Sequence, residues 1–157
     1  MKITLLLVGK TEADYLKIGI DQYLSRIKHY IVFNETVIPS LKSTKNLTEE
    51  QQKQKEGELI LGFIKPVDEV ILLDENGEIF TSMAFSGFLQ KKMIAGVRSI
   101  VFVIGGPYGF SDDVYKRANY KVSLSKMTFS HQMVRLIFVE QIYRAMSIMK
   151  GEPYHHQ

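Results

Sequence analysis

Phe102-Val103-Ile104-Gly105-Gly106-Pro107-Tyr108-Gly109 runs an apolar stretch straight into a glycine-rich turn, and Ser111-Asp112-Asp113 follows with the chemistry of a helix start. Residues 99–104, continuously apolar from Ile100 rather than alternating, read as a strand covered on both faces, the habit of a parallel sheet. Strand, turn and helix in that order make one βα unit. Residues 3–8 repeat the pattern. Gly9 ends that strand, and Tyr15, Leu16, Ile20, Tyr23, Leu24 and Ile27 recur three or four apart, predicting a helix over 12–28. Residues 30–38, stopped by Pro39, read as a second strand, 70–73 as a third and 120–124 as a fifth. The expected fold is α/β, a mainly parallel sheet flanked by helices.

The remaining elements follow from caps and turns. Thr48 with Gln51 three places on forms a capping box, opening a helix whose first half is polar and solvated and whose apolar part is Leu59, Ile60, Phe63 and Ile64. Asn76-Gly77 is the dipeptide most favoured in a tight reversal, and Ser82 is a candidate cap for a helix through Met93. The last helix, about 131–149, is apolar around nearly its whole circumference rather than along one stripe. It is either a central core helix or one that packs on its own sheet and on a second subunit.

The 157 residues suit one domain spanning 1–157, and 45% hydrophobic with 24% charged residues is globular usage, which excludes a disordered chain. Cysteine is absent, so disulfide scaffolds, thiolate metal sites and cysteine nucleophiles are excluded together. The longest interior apolar stretch, 100–104, is far below the roughly 18 residues of a membrane span. No small-residue cleavage pattern follows the first strand, so a cytoplasmic protein is expected. With 20 Lys and Arg against 17 Asp and Glu, the net charge is +3, which permits a polyanionic partner without demanding one. Lys10, Arg26, Lys28, Lys91, Lys92 and Arg98 are scattered and outline no nucleic-acid stripe.

Gly9-Lys10-Thr11 is not the end of a phosphate-binding loop, because the glycine such a loop requires five places earlier is Thr4, inside the strand. The turn at 105–109 lies where open α/β sheets bind ligands. Asp112 and Asp113 occupy the helix N-terminus behind it and cancel its attraction for phosphate, so its ligand is expected to lack one. Without a ligand, the turn is simply one that needs glycine's φ freedom. Leu124, Ser125, Lys126, Met127, Thr128 and Phe129, between the fifth strand and the last helix, combine small hydroxyls with apolar walls. Such a stretch can accept a purine, or can merely cap the last helix through Thr128 or Ser130. The spacing of His29, His131, His155 and His156 holds no metal-ligand pattern, and no metal is expected. In the last helix, Glu140 and Arg144 are four apart and can simply pair, while Arg135 and Arg144 can equally hold an anion.

These motifs, together with Gln54-Lys55-Glu56-Gly57-Glu58-Leu59-Ile60, Leu72-Leu73-Asp74-Glu75-Asn76-Gly77, His131-Gln132-Met133-Val134-Arg135, Glu140-Gln141-Ile142-Tyr143-Arg144-Ala145 and Tyr154-His155, resemble the RlmH family. That family comprises bacterial large-subunit ribosomal RNA pseudouridine N3-methyltransferases of the SPOUT superfamily. The resemblance covers essentially the whole chain, with one departure: Ser130 stands where the family commonly has proline. It implies a SPOUT-type fold with a C-terminal deep trefoil knot, a homodimer, and S-adenosylmethionine held by Leu73, Gly105, Gly106, Leu124, Ser125, Lys126, Met127, Thr128 and Phe129. It also implies a substrate in helix 69 of the 23S RNA of the assembled ribosome. The expected catalytic groups are Arg135 or Arg144, stabilising the anionic base, and Tyr154 with His155 on a C-terminal tail folded over the cofactor pocket. Two other classes compete: a non-catalytic ribosome-binding or assembly factor on the same fold, and a flavin or dinucleotide enzyme, which Asp112 and Asp113 disfavour.

Overall fold

Strand β1 (Lys2–Val8) is buried along its whole length beyond Lys2, and β4 (Ser99–Ile104) beyond Ser99, because the two lie side by side at the centre of a sheet covered on both faces. A computed structural model describes residues 1–156. The other elements are α1 (Asp14–Ile27), β2 (Val32–Ile38), α2 (Glu49–Phe63), β3 (Glu69–Ile79), α3 (Ser82–Ile94), α4 (Asp112–Arg117), β5 (Tyr120–Ser123) and α5 (Met133–Met149). The five strands are all parallel, in the order β2-β1-β4-β3-β5.

Alternation along the strands divides the core in two. Leu5, Ile71 and Phe102 face α1, α3 and α5, where they meet Ile20, Phe85 and Phe138. Leu6, Leu72 and Val103 face α2 and α4, where they meet Ile60 and Val114. The rings of Phe102 and Phe138 are 4.8 Å apart, so α5 sits on the middle of the sheet with α1 and α3 on either side. Burial of each such side chain contributes on the order of 2 kcal/mol. Thus the wide apolar surface of α5 is in large part that of a central core helix.

Local chemistry refines four of the sequence expectations. The Thr48–Gln51 capping box is present, with both reciprocal bonds made. The cap of α3 is Thr81 rather than Ser82: Thr81 Oγ1 accepts from Ala84 N at 3.1 Å, while Ser82 Oγ donates to Gln141 of α5 at 2.9 Å. Ser111 occupies the N-cap position of α4, but its buried hydroxyl makes no capping bond.

Asn76-Gly77 is not a reversal. Both Leu73 and Glu78 pair with Val122 of β5, so residues 74–77 loop out of β3 and the strand resumes in the same direction. A tight Asn-Gly turn needs an antiparallel partner, and among the described residues β3 pairs only with the parallel strands β4 and β5. Gly77 serves close approach instead, since a Cβ there would lie 2.5 Å from the Val122 amide nitrogen.

Candidate functional site

The carboxyl ends of β3, β4 and β5 open into a cavity of about 530 Å³. Three segments line it, joined by Tyr115 of α4: Leu73 with the excursion 74–76, the turn 104–110, and residues 122–125 and 127–131 continued by Val134 of α5. Of the nine residues expected to hold a cofactor, Leu73, Gly105, Gly106, Leu124, Ser125, Met127, Thr128 and Phe129 line this cavity, and Lys126 does not.

Each wall owes its shape to a local constraint. A Cβ on Gly105 would come 3.0 Å from the Phe110 ring and 3.2 Å from Gly109 O, so any larger residue there presses on the turn. Gly109 has φ +81°, a left-handed conformation that glycine adopts without strain. In the third wall, Ser123 Oγ donates to Ser125 O at 2.8 Å, and Ser125 Oγ accepts from Met127 N at 2.9 Å. These hydroxyls therefore tie the loop to itself. Ser130 Oγ accepts from Met133 N at 3.1 Å and starts α5. Met127, 78% exposed, and Phe129, 40% exposed, leave apolar surface at the mouth. Asp112 and Asp113 stand in the first turn of α4, so the helix N-terminus behind the glycine turn carries its own anions.

The cavity lining adds two residues to which the sequence assigns no role, Asp74 and Tyr115. Tyr115 Oη donates to Asp74 Oδ2 at 2.5 Å, and Asn76 N donates to Asp74 Oδ1 at 2.8 Å. Burial first, then the bond to Asp74, raises the Tyr115 phenol above its ordinary value, so it stays protonated at neutral pH. His131 and Val134 close the cavity from the α5 side. The signal for Asp74 was its place at the carboxyl end of a strand, and that for Tyr115 was its spacing on α4; neither stands out from solvated residues of the same types.

The expected catalytic residues fall into two separate places, neither of them on the cavity lining. Arg135 is fully buried and donates to Val8 O, Gly9 O, Thr11 Oγ1 and His131 O, between 2.9 and 3.1 Å. Four of its five donors are thus engaged by the chain itself. Arg144 pairs with Glu140, its Nε donating to Oε1 at 3.1 Å, and its Nη1 lies 3.3 Å from His155 Nδ1. Tyr154 Oη donates to the same Glu140 oxygen at 3.0 Å and is 3.2 Å from Tyr23 Oη. Burial and these bonds hold the Tyr154 phenol above its ordinary value. Tyr154 packs edge-on against Tyr143 with centroids 4.6 Å apart. The tail therefore lies against α1 and α5 of its own chain. Among the described residues no group of metal-ligating side chains gathers, and no helix is long and apolar enough to cross a membrane.

Leu73, Leu124, Met127 and Phe129 bring apolar side chains to the cavity beside the backbone of the glycine turn, a lining that suits an uncharged ring. Comparison with known proteins agrees in class. The family described as Predicted SPOUT methyltransferase matches residues 1–155. The chain is 60% identical over 157 residues, all of both chains, to the ribosomal RNA large subunit methyltransferase H of Parabacteroides distasonis. It is 60% identical, again over the whole of both, to the protein of that name from Flavobacterium psychrophilum. The structure of a probable methylase family protein from Haemophilus influenzae overlays 99% of this chain and 70% of its own, at a TM-score of 0.51 and 13% identity, a likeness of fold.

Proposed function

The chain belongs to the SPOUT methyltransferase family, in its RlmH group, and from that premise we propose that it methylates N3 of a pseudouridine in helix 69 of large-subunit ribosomal RNA, on the assembled ribosome in the cytoplasm. S-adenosylmethionine is the proposed donor. The observation that carries this reading is the cavity itself: two walls of backbone edges and apolar side chains at the carboxyl ends of parallel strands, with the N-terminus of α4 behind the glycine turn already occupied by Asp112 and Asp113. The proposal includes a single domain over 1–157, with the knot of the SPOUT fold in its C-terminal part.

The residues present fit the donor. Leu73, Leu124, Met127 and Phe129 supply apolar walls for an adenine, and backbone groups at 105–106 and 124–129 supply its polar edge. When bound, the donor supplies a methyl group on a sulfonium, and the protein's tasks are alignment, exclusion of water and charge stabilisation. The imide N3 of the base must lose a proton for its lone pair to react. Arg144, Tyr154 and His155 are proposed for that end of the reaction. Arg144 offers positive charge to the anionic base, the protonated Tyr154 offers a hydroxyl, and His155, in contact with Arg144, offers a ring nitrogen. Arg135 is proposed as a positioning residue, since its donors are spent on β1 and on the entry to α5.

Because this cluster sits away from the cavity of its own chain, the complete site is proposed to form in a homodimer, with the tail of one subunit meeting the cavity of the other. Two observations support this: Val134, Ile137, Gln141 and Ile148 recur at helical spacing on α5, none of them fully buried, and the exposed Met127 and Phe129 share the cavity mouth with Val134. The decisive assay is methyl transfer to intact ribosomes and to free ribosomal RNA, with the modified base mapped. Methylation of a pseudouridine in helix 69, on ribosomes in preference to naked RNA, is the expected result.

A further inference from the structure

The run 54–60 has no part in the site described so far, yet its central residue is placed with care. Glu56 faces inward on α2, one turn before the buried Ile60, and is 4% exposed. One carboxyl oxygen, Oε1, accepts from Gln52 Nε2 at 2.9 Å; the other, Oε2, has no partner among the described residues. A leucine would fill the same space without leaving an acceptor unsatisfied.

The neighbour of that orphaned oxygen is the cofactor turn. A Cβ added to Gly106 would lie 2.4 Å from Glu56 Oε2 and 2.9 Å from its carboxyl carbon, so residue 106 must be glycine for the turn to rest on the carboxyl group. Gly57 beside it admits Ser111, the residue that opens α4, by the same device: a Cβ there would meet Ser111 Oγ at 2.2 Å. The carboxyl group thus stands directly behind the wall whose front face lines the cavity. Burial raises its pKa, and the Gln52 bond and the charge of His131, a residue of the cavity lining, pull it back down. A charge at this depth is screened little by solvent, so it is felt across one layer of backbone.

We propose that Glu56 is a positioning residue that makes the cavity selective for a cationic ligand: its carboxylate supports the 105–109 turn from behind and favours the sulfonium of the methyl donor over the uncharged thioether left after transfer. The inference rests on S-adenosylmethionine being the donor, and it adds how the site holds the donor and lets go of the product.

Titration calorimetry at pH 7.5 with S-adenosylmethionine and with S-adenosylhomocysteine tests it, on the wild type and on Glu56→Gln and Glu56→Asp. The two ligands differ by one positive charge on sulfur and one methyl group. Glu56→Gln keeps the shape and removes the charge, so it should weaken the donor about tenfold while changing the thioether less than about twofold, a shift in their ratio of at least about fivefold. Glu56→Asp keeps the charge and shortens the support, so both ligands should weaken while their ratio stays near the wild-type value. If wild type binds and Glu56→Gln leaves the ratio unchanged, or weakens both ligands alike, Glu56 is only a packing element and this inference alone fails. If the wild type binds neither ligand, the cofactor reading itself fails and takes the inference with it.

Discussion

Arg135 Nη2 donates to Val8 O at 2.9 Å, tying the carboxyl end of β1 to the first turn of α5 across 127 residues of sequence. The same guanidinium reaches Gly9 O and His131 O, so one side chain joins the strand end, the loop after it and the residue that closes the cavity. Replacing Arg135 with methionine strands these carbonyls in a buried place, and the expected loss is about 3–5 kcal/mol of unfolding free energy. Arg135→Lys keeps the charge but not the fork, and should still lose about 2 kcal/mol. Urea unfolding measures both; a lysine variant within 0.5 kcal/mol of wild type would mean that the fork is not what holds the junction.

Glu56 should leave a signature in the pH dependence of stability. Its carboxyl is raised above the ordinary value of 4.5 in the folded protein, chiefly by burial. Between that value and the raised one, the folded state binds more protons than the unfolded state, so stability falls as pH rises through the window and stays lowered above it. Glu56→Gln lacks this component. Its melting temperature should therefore match or exceed that of wild type at neutral pH, with the gap shrinking toward pH 4.5. Thermal scans of both proteins in buffers from acid to neutral decide it: a gap independent of pH would show that the carboxyl does not titrate in that window. The groups that face it, Gln52 and His131, both favour the ionised form and so narrow the window without reversing its sign.

The glycine turn offers two substitutions that fail for different reasons. At Gly109 no heavy atom stands within 4 Å of an added Cβ, but φ is +81°. Gly109→Ala should cost about 1–2 kcal/mol from the backbone alone, and Gly109→Asn less, since asparagine tolerates this region better. At Gly105 the backbone permits alanine, but the Cβ would press on Phe110 and on Gly109 O. Gly105→Ala should weaken donor binding more than it lowers stability, read by calorimetry beside urea unfolding. Equal effects of the two alanines on binding would contradict the separation.

What the sequence made legible was what depends on runs and periods. Continuous apolar strands gave a parallel sheet, and the turn at 105–109 and the stretch 124–129 marked two of the three walls of the cavity. What it hid depends on contacts between distant residues. Thr81 and Ser82 are equally good caps by type, and only Gln141 across on α5 explains why Ser82 faces the other way. Asn76-Gly77 announces a turn, but whether the chain reverses is decided by Val122, which pairs on both sides of the excursion. Glu56 looks solvated in a polar helical stretch, and its burial follows from glycines at 57 and 106. Arg135 reads as a candidate for anion binding until its four acceptors, three of them backbone carbonyls, are seen together.

The separation between the cavity and the tail cluster leads to a complementation test. Tyr154 is anchored by Glu140 and by the Tyr143 ring, so removing residues 154–157 should silence methylation while subunits still associate through α5. Tyr154→Phe should reduce turnover without moving the pH–rate profile, because a phenol held protonated by burial and by Glu140 donates rather than accepts. Tailless subunits keep their cavity, and subunits carrying Gly105→Val keep their tail, so each is inactive alone. If the tail serves the partner's cavity, random mixing gives hybrid dimers with one complete site. Half the dimers are then hybrids with one working site of two, and about a quarter of wild-type turnover returns. If the tail serves its own cavity, every hybrid lacks a complete site and mixing restores nothing. Light scattering on the same samples confirms that the subunits exchanged, so a flat result counts against the shared site rather than against the mixing.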